Sequence, residues 1–368
     1  MISVIECTEK FECLKSEWTK LLLKSNANDL FMSWEWLFSW WQVWGNQERD
    51  SLFIIVITRK KSIIGIVPLM LSNSLSIPYF GGKRLQFIGS HWKHIPSVRT
   101  EYFSPIFDME FETESQLEFN NYLSSLNVYD EICICDSINC DFMTFEDIST
   151  VNKTKNFKHW QQENSYFVDT TLDFIEYKAS LGRNTRKKYF NDQRKLDELD
   201  VTNNSNEFDF INVCNYFNSF HLTRWSNKVF NRKVIAFYTI LFKTSDQLQP
   251  KFYYLKTPSN KVLSIVFCIQ SSTTLYYIQS GFQKNHLPFA LGKLHLGLVI
   301  QDAFFDSRVD KLNLLAGGGK SSNYKQFLTE RFDTFKTFSI LKTQKAKISH
   351  HVIGSIRSIK KYVTKSFS

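Results

Sequence analysis

Apolar residues return every three or four positions over residues 11–24. Leu14, Trp18, Leu21 and Leu22 line one side there and predict a first helix. A second helix is expected after Ser33, whose hydroxyl suits an N-cap, and Gly45 ends it. Inside it Leu37, Trp40, Trp41 and Trp44 keep the i, i+3, i+4, i+7 spacing. The pattern then shortens. Leu52–Thr58 and Ile63–Leu71 read as strands joined by the polar turn Arg59-Lys60-Lys61-Ser62. Arg84–Ile88 and Glu131–Cys135 read as further strands on either side of a helix near 113–126. Residues 149–165 are rich in Asn, Lys and Gln and read as a linker.

Beyond the linker the pattern predicts helices over 182–199, near 207–225 and over 233–244. Strands follow at Lys251–Thr257, Val262–Gln270 and Thr274–Gly281, then a long helix from Phe289 to about Phe305. Lys311–Leu315 and Thr334–Leu341 complete the strands. Consecutive strands with few βαβ repeats point to an α+β architecture with largely antiparallel sheets.

Composition narrows the class. With 368 residues, 43% of them hydrophobic and 22% charged, the chain can bury a core in two domains or one large one, which excludes wholesale disorder. The longest apolar run, Ile63 to Leu71, contains Gly65 and Pro68 and is too short to cross a bilayer. The first ten residues lack the basic start and apolar core of a secretory signal. Seven Cys include the cluster Cys133, Cys135 and Cys140, without CxxC spacing or a nearby His; reduced, buried thiols of a cytoplasmic protein and no metal are expected. Five of the nine Trp lie between 34 and 44. Core packing of one helix face is the reading adopted, with stacking on a sugar or base as the alternative.

Charge separates the halves. Residues 1–150 hold 12 Lys and Arg against 20 Asp and Glu, and residues 151–368 hold 33 against 16. The second half is therefore expected to meet an anionic partner: a phosphorylated cofactor, nucleic acid or an anionic membrane surface. After Thr343 the tail carries Lys345, Lys347, Arg357, Lys360, Lys361 and Lys365 without an acid, while Val352, Ile356, Ile359 and Val363 keep helical spacing. Such a helix can lie on an anionic bilayer or pack as an ordinary terminal helix.

Several motifs bear on chemistry. Gly317-Gly318-Gly319-Lys320-Ser321 ends like a Walker A loop, but Leu314 stands where that motif needs glycine, so nucleotide hydrolysis is set aside. On the expected helix from 182, Arg183, Lys187 and Arg194 share one side with Arg186 beside them, and guanidinium forks suit phosphates and carboxylates. His221 and Arg224 are three residues apart on one helix face, which makes His221 a candidate base. Ser280-Gly281-Phe282 closes a strand, and the loop Gln283–Pro288 feeds the long helix, whose first amides and dipole favour an anion; Lys284, Gly292 and Lys293 lie there.

In this order, the segments Phe31–Leu37, Arg183–Leu196, His221–Trp225 with Phe230 and Phe237, Ser280–Leu296, and Lys311–Leu315 with Gly317, Tyr324 and Lys325 resemble the CelD/BcsL-type acetyltransferases. That family belongs to the GNAT superfamily, is related to the FemAB peptidyltransferases, and is linked to cellulose and other exopolysaccharide synthesis. The resemblance spans about residues 30–330; Asn313 stands where the family usually has Asp. It implies tandem GNAT-like domains, each a mixed, largely antiparallel sheet flanked by helices, over 1–150 and 151–343, with 344–368 as a basic tail. It implies transfer of an acyl group from acetyl-CoA or another acyl-CoA to a cell-surface sugar or its nucleotide- or lipid-linked precursor. Lys284, Gly292 and Lys293 are then expected at the cofactor phosphates, Arg183, Arg186, Arg224, Tyr324 and Lys325 at substrate, and His221 as the base. The FemAB relationship offers aminoacyl-tRNA as an alternative donor for a cell-wall peptide. A scaffold at the cytoplasmic membrane face, held by the basic tail, is the non-enzymatic alternative.

Overall fold

The computed structural model describes residues 1–45, 48–74, 82–92, 95–138, 157–197, 202–204, 210–283, 290–317 and 324–352. Two compact units emerge, Met1–Glu163 with the segment from Thr334 onward, and Asn164–Asp333. The chain leaves the first unit within one strand, Phe157–Asp169, and returns to it within another, Phe332–Leu341.

In the first unit, Ile2–Ile5 (β1), Asp50–Arg59 (β2), Ser62–Ser74 (β3) and Gly82–Phe87 (β4) pair antiparallel in sequence, and the short Ile106–Phe107 (β5) adds to β3. Lys60 and Lys61 both take positive φ, 47° and 72°, the twist a two-residue hairpin needs. Glu131–Ser137 (β6) runs parallel to β4. The strand from 332 joins on the far side of β6, antiparallel. The helices are Thr8–Cys13 (α1), Lys15–Leu22 (α2), Trp34–Trp44 (α3) and Glu112–Ser125 (α4). Ser33 caps α3, its hydroxyl accepting from the Trp36 amide at 3.1 Å. All five Trp of that helix are at most 5% exposed, so they are core, as the spacing favoured.

The second unit repeats the plan. Phe157–Asp169 is β7, and Thr202–Asn204 (β8), Gln249–Lys256 (β9), Val262–Ser271 (β10) and Thr274–Phe282 (β11) pair antiparallel in sequence. Lys311–Asn313 (β12) runs parallel to β11 and antiparallel to β7. Its helices are Phe174–Ser180 (α5), Arg183–Tyr189 (α6), Arg194–Asp197 (α7), Phe210–Trp225 (α8), Arg232–Thr244 (α9) and Leu291–Phe305 (α10). Each unit thus has four antiparallel strands, one parallel step across a helix, and one antiparallel strand beyond it.

Several expectations need correcting. Residues 157–165 of the expected linker are strand, held by chain pairing that composition does not reveal; 149–156 lie outside the described residues. The expected helix 182–199 breaks at Phe190, at φ −124° and ψ −47°. Tyr189 and Phe190 are both buried at the break, and a separate short helix, Arg194–Asp197, follows it. The strand Phe332–Leu341, expected to close the second domain, is returned to the first unit by its pairing with β6. Of the tail, residues 344–352 form a helix with Ala346 and His350 buried one turn apart, and His350 donates to Glu131. Residues 353–368, with Ile356, Ile359 and Val363 of the expected amphipathic face, lie outside the described residues. No helix among the described residues is long and apolar enough to cross a membrane.

Candidate functional site

The parallel steps are the places where each sheet opens. In the second unit β11 and β12 pair through only three positions, Thr274 with Lys311, Leu275 with Leu312 and Tyr276 with Asn313. Past that point β11 stays with β10 as far as Phe282. The chain after β12 stays with β7, the Leu314 amide donating to the Tyr166 carbonyl at 2.8 Å. The two strands therefore part, and among the described residues no strand pairs with that side of β11 between Tyr277 and Gly281. The first unit has the same three-position step, Arg84–Gln86 against Glu131–Cys133. There the chain spans its own opening: the Thr100 hydroxyl donates to the Gly89 carbonyl at 2.9 Å and the Phe103 amide to the Asp136 carbonyl at 3.2 Å.

Helix α10 starts beside the second opening. Its N-cap, Ala290, offers no side-chain acceptor, so its first amides are not capped by it. Gly292 lies against Phe282, where an added Cβ would sit 2.8 Å from the ring. Lys293 lies half-buried 5.9 Å from the centroid of the Tyr189 ring. Burial and then the charge of Lys188 push its ammonium below the usual lysine range. The charge of Lys188 is thus felt at the start of α10, and among the described residues neither lysine has a carboxylate partner. This is an electrostatic setting for an anion.

Tyr277 and Tyr324 lie near one another, with Tyr189 close by. Burial raises the pKa of both phenols and of Tyr189, so all three stay protonated at neutral pH. Tyr277 is nearly enclosed, whereas Tyr324 is half-buried, so Tyr324 is the more accessible of the two.

The remaining expected residues take varied places. Arg183 is exposed at the start of α6. The Arg186 guanidinium donates to the Ala179 and Leu181 carbonyls at 2.7 and 2.6 Å and closes the α5–α6 turn. Arg194 falls after the break, so it does not continue the Arg183–Lys187 face. His221 is half-buried one turn after Phe217; Phe217 and Phe220 both pack on Gly281 at the end of β11. Arg224 follows on the same helix, its side chain outside the described set, as is all of Lys284. Lys325 is buried, and its ammonium donates to the Leu315 and Ala316 carbonyls at 2.8 and 3.0 Å, where Leu315 has φ +60°. Asn313 accepts from the Leu315 amide at 2.8 Å and from Ser165 at 3.3 Å, a turn-holding role an amide fills without charge. Gly318–Ser321 lie outside the described residues. Sequence reading passed over Tyr189 and Tyr277; Tyr276-Tyr277 in an apolar strand was the one available signal.

Solved structures share this architecture. FemX aligns with a TM-score of 0.57 and 10% identity over 89% of this chain and 96% of its own. A conserved protein of unknown function from Bacteroides thetaiotaomicron gives 0.51 and 10% over 93% and 100%. The C-terminal DUF2156 domain of a protein from Agrobacterium fabrum, named for lysylphosphatidylglycerol synthetase, gives 0.50 and 8% over 94% and 95%. The fold is a mixed α+β one with largely antiparallel sheets flanked by helices, and these structures share it. At these identities the likeness is one of fold. No family model matches the sequence, and a search of curated proteins finds no relative.

Proposed function

We propose that the chain is an acyl-CoA-dependent N- or O-acyltransferase whose donor lies in the opening of the second unit. The observation that carries this reading is the parting of β11 from β12 near the start of α10, where Gly292 lies against Phe282 at the end of β11 and Lys293 lies by the Tyr189 ring. A thioester fits such a place: its amides pair with the open side of β11, and its pyrophosphate meets the helix start and Lys293. The acceptor amine or hydroxyl attacks the thioester carbonyl, the C–S bond breaks, and a protonated phenol at Tyr324 returns a proton to the leaving thiolate. His221, near the end of β11, remains the proposed acceptor-side base. The CelD/BcsL resemblance favours a sugar, free or nucleotide- or lipid-linked, as acceptor, and acetyl-CoA as donor.

Thermal unfolding with acetyl-CoA, longer acyl-CoAs, free CoA and ATP tests this. A donor at ~100 times its Kd adds about 2.7 kcal/mol. Stabilisation by an acyl-CoA and not by ATP is expected; no response to any CoA overturns the reading.

A second reading takes aminoacyl-tRNA as donor. The fold likeness to FemX and the exposed Arg183, Lys187 and Lys188 beside the same opening favour it. It predicts tRNA binding that weakens steeply between two salt concentrations; salt-insensitive or absent binding excludes it.

A further inference from the structure

Helix α10 and strand β11 meet at a buried polar contact that neither donor chemistry requires. His295 stands in the second turn of α10 and is fully buried. Its Nδ1 lies 2.8 Å from the Ser264 hydroxyl of β10. That hydroxyl donates its single proton to the Gly281 carbonyl of β11 at 3.1 Å. Ser264 therefore accepts from His295, which fixes the imidazole proton on Nδ1. Nε2 is then an acceptor, and among the described residues nothing donates to it. Burial lowers the imidazole pKa to about 3, so the ring is neutral at physiological pH. The same turns of α10 are buried on apolar neighbours: Leu291 and Leu294 cluster with Leu196, Leu255 and Leu263. A leucine there would satisfy the core, so fold stability does not explain the histidine.

We infer that His295 is a positioning residue: through Ser264 it locks the first turns of α10 to the Gly281 end of β11 and so fixes the spacing between the helix start and the open strand edge. Packing of Gly292 on Phe282 gives the same two elements a second point of contact. The chain of two hydrogen bonds adds direction, because it fixes how far α10 can rotate about that contact. The inference rests on the donor site proposed above, since that spacing is what a bound diphosphate would span.

The test compares His295→Leu, which removes the donor, with His295→Asn, whose amide can replace Nδ1–H. Three readouts separate the outcomes. In urea titrations, His295→Leu is expected to be as stable as the parent or more so. In hydrogen exchange followed by mass spectrometry, peptides covering 281–283 and 291–295 are expected to exchange at least tenfold faster in His295→Leu, with the rest of the sheet unchanged. Acetyl-CoA binding by calorimetry is expected to weaken about tenfold in His295→Leu and to recover in His295→Asn. Unchanged local exchange in His295→Leu overturns the clamp whatever the donor proves to be. Faster exchange with unchanged acetyl-CoA affinity overturns its link to the site. A parent protein that binds no acyl-CoA, with faster exchange in the variant, removes the donor reading and leaves the clamp standing.

Discussion

Tyr324 and Lys293 carry the sharpest expectations. Tyr324→Phe removes the proposed proton donor but keeps the ring, so kcat for acyl transfer falls on the order of 100-fold while acyl-CoA affinity holds. Because burial raises the phenol pKa, the form that donates persists beyond the usual tyrosine range. The rate should therefore stay level through pH 9 and fall only above about pH 10, which a pH–rate profile reads directly. Lys293→Ala should instead act on binding, with a loss of about tenfold, or 1.4 kcal/mol, that shrinks as salt is added. The lysine was legible from sequence because it sits just inside a helix start. Lys188 was read only as part of the basic run from Arg183; its nearness to Lys293 was not legible, since 105 positions separate the two. Lys325 was expected at substrate from the family resemblance, and its ammonium donates to the Leu315 and Ala316 carbonyls, contacts no local pattern announces.

Among the elements, α10 and α6 meet most closely. A Cβ on Gly297 would lie 1.9 Å from the Tyr189 carbonyl, a backbone atom that cannot swing away. Gly297→Ala should cost roughly 2–4 kcal/mol in a urea titration and displace α6, lowering acyl-CoA affinity with it. Helices and strands with a clean period were read well: α3, β2, β3, β10, β11 and α10 lie within a few residues of expectation. Two failures stand against them. β7 has a polar, alternating sequence that reads as linker, and it becomes a strand through its place in the sheet between β12 and the strand Phe332–Leu341. The break at Phe190 carries no proline or glycine to announce it.

Across the whole molecule, stability should decline in acid. Arg84 and His350 hold Glu131 ionised down to about 2, and His91 with Arg49 holds Asp50 lower still. Carboxylates depressed in the folded state stabilise it fully above their unfolded pKa, near 4, and lose that contribution as pH falls through the folded value. Glu131 alone is worth about 3 kcal/mol on this account. Urea midpoints should drop between pH 4 and pH 2, and Glu131→Gln should flatten part of that slope. Two like units were expected from the family resemblance, but their shared strand order was not visible in the sequence pattern, since they have no readable motif in common. Its consequence lies in the segment Thr100–Phe103, which bridges the opening of the first unit. A chain with two such openings could load two donors at once, but one is already occupied by its own backbone. Calorimetric titration with acyl-CoA should then saturate at one equivalent per chain, with a single affinity and no cooperativity.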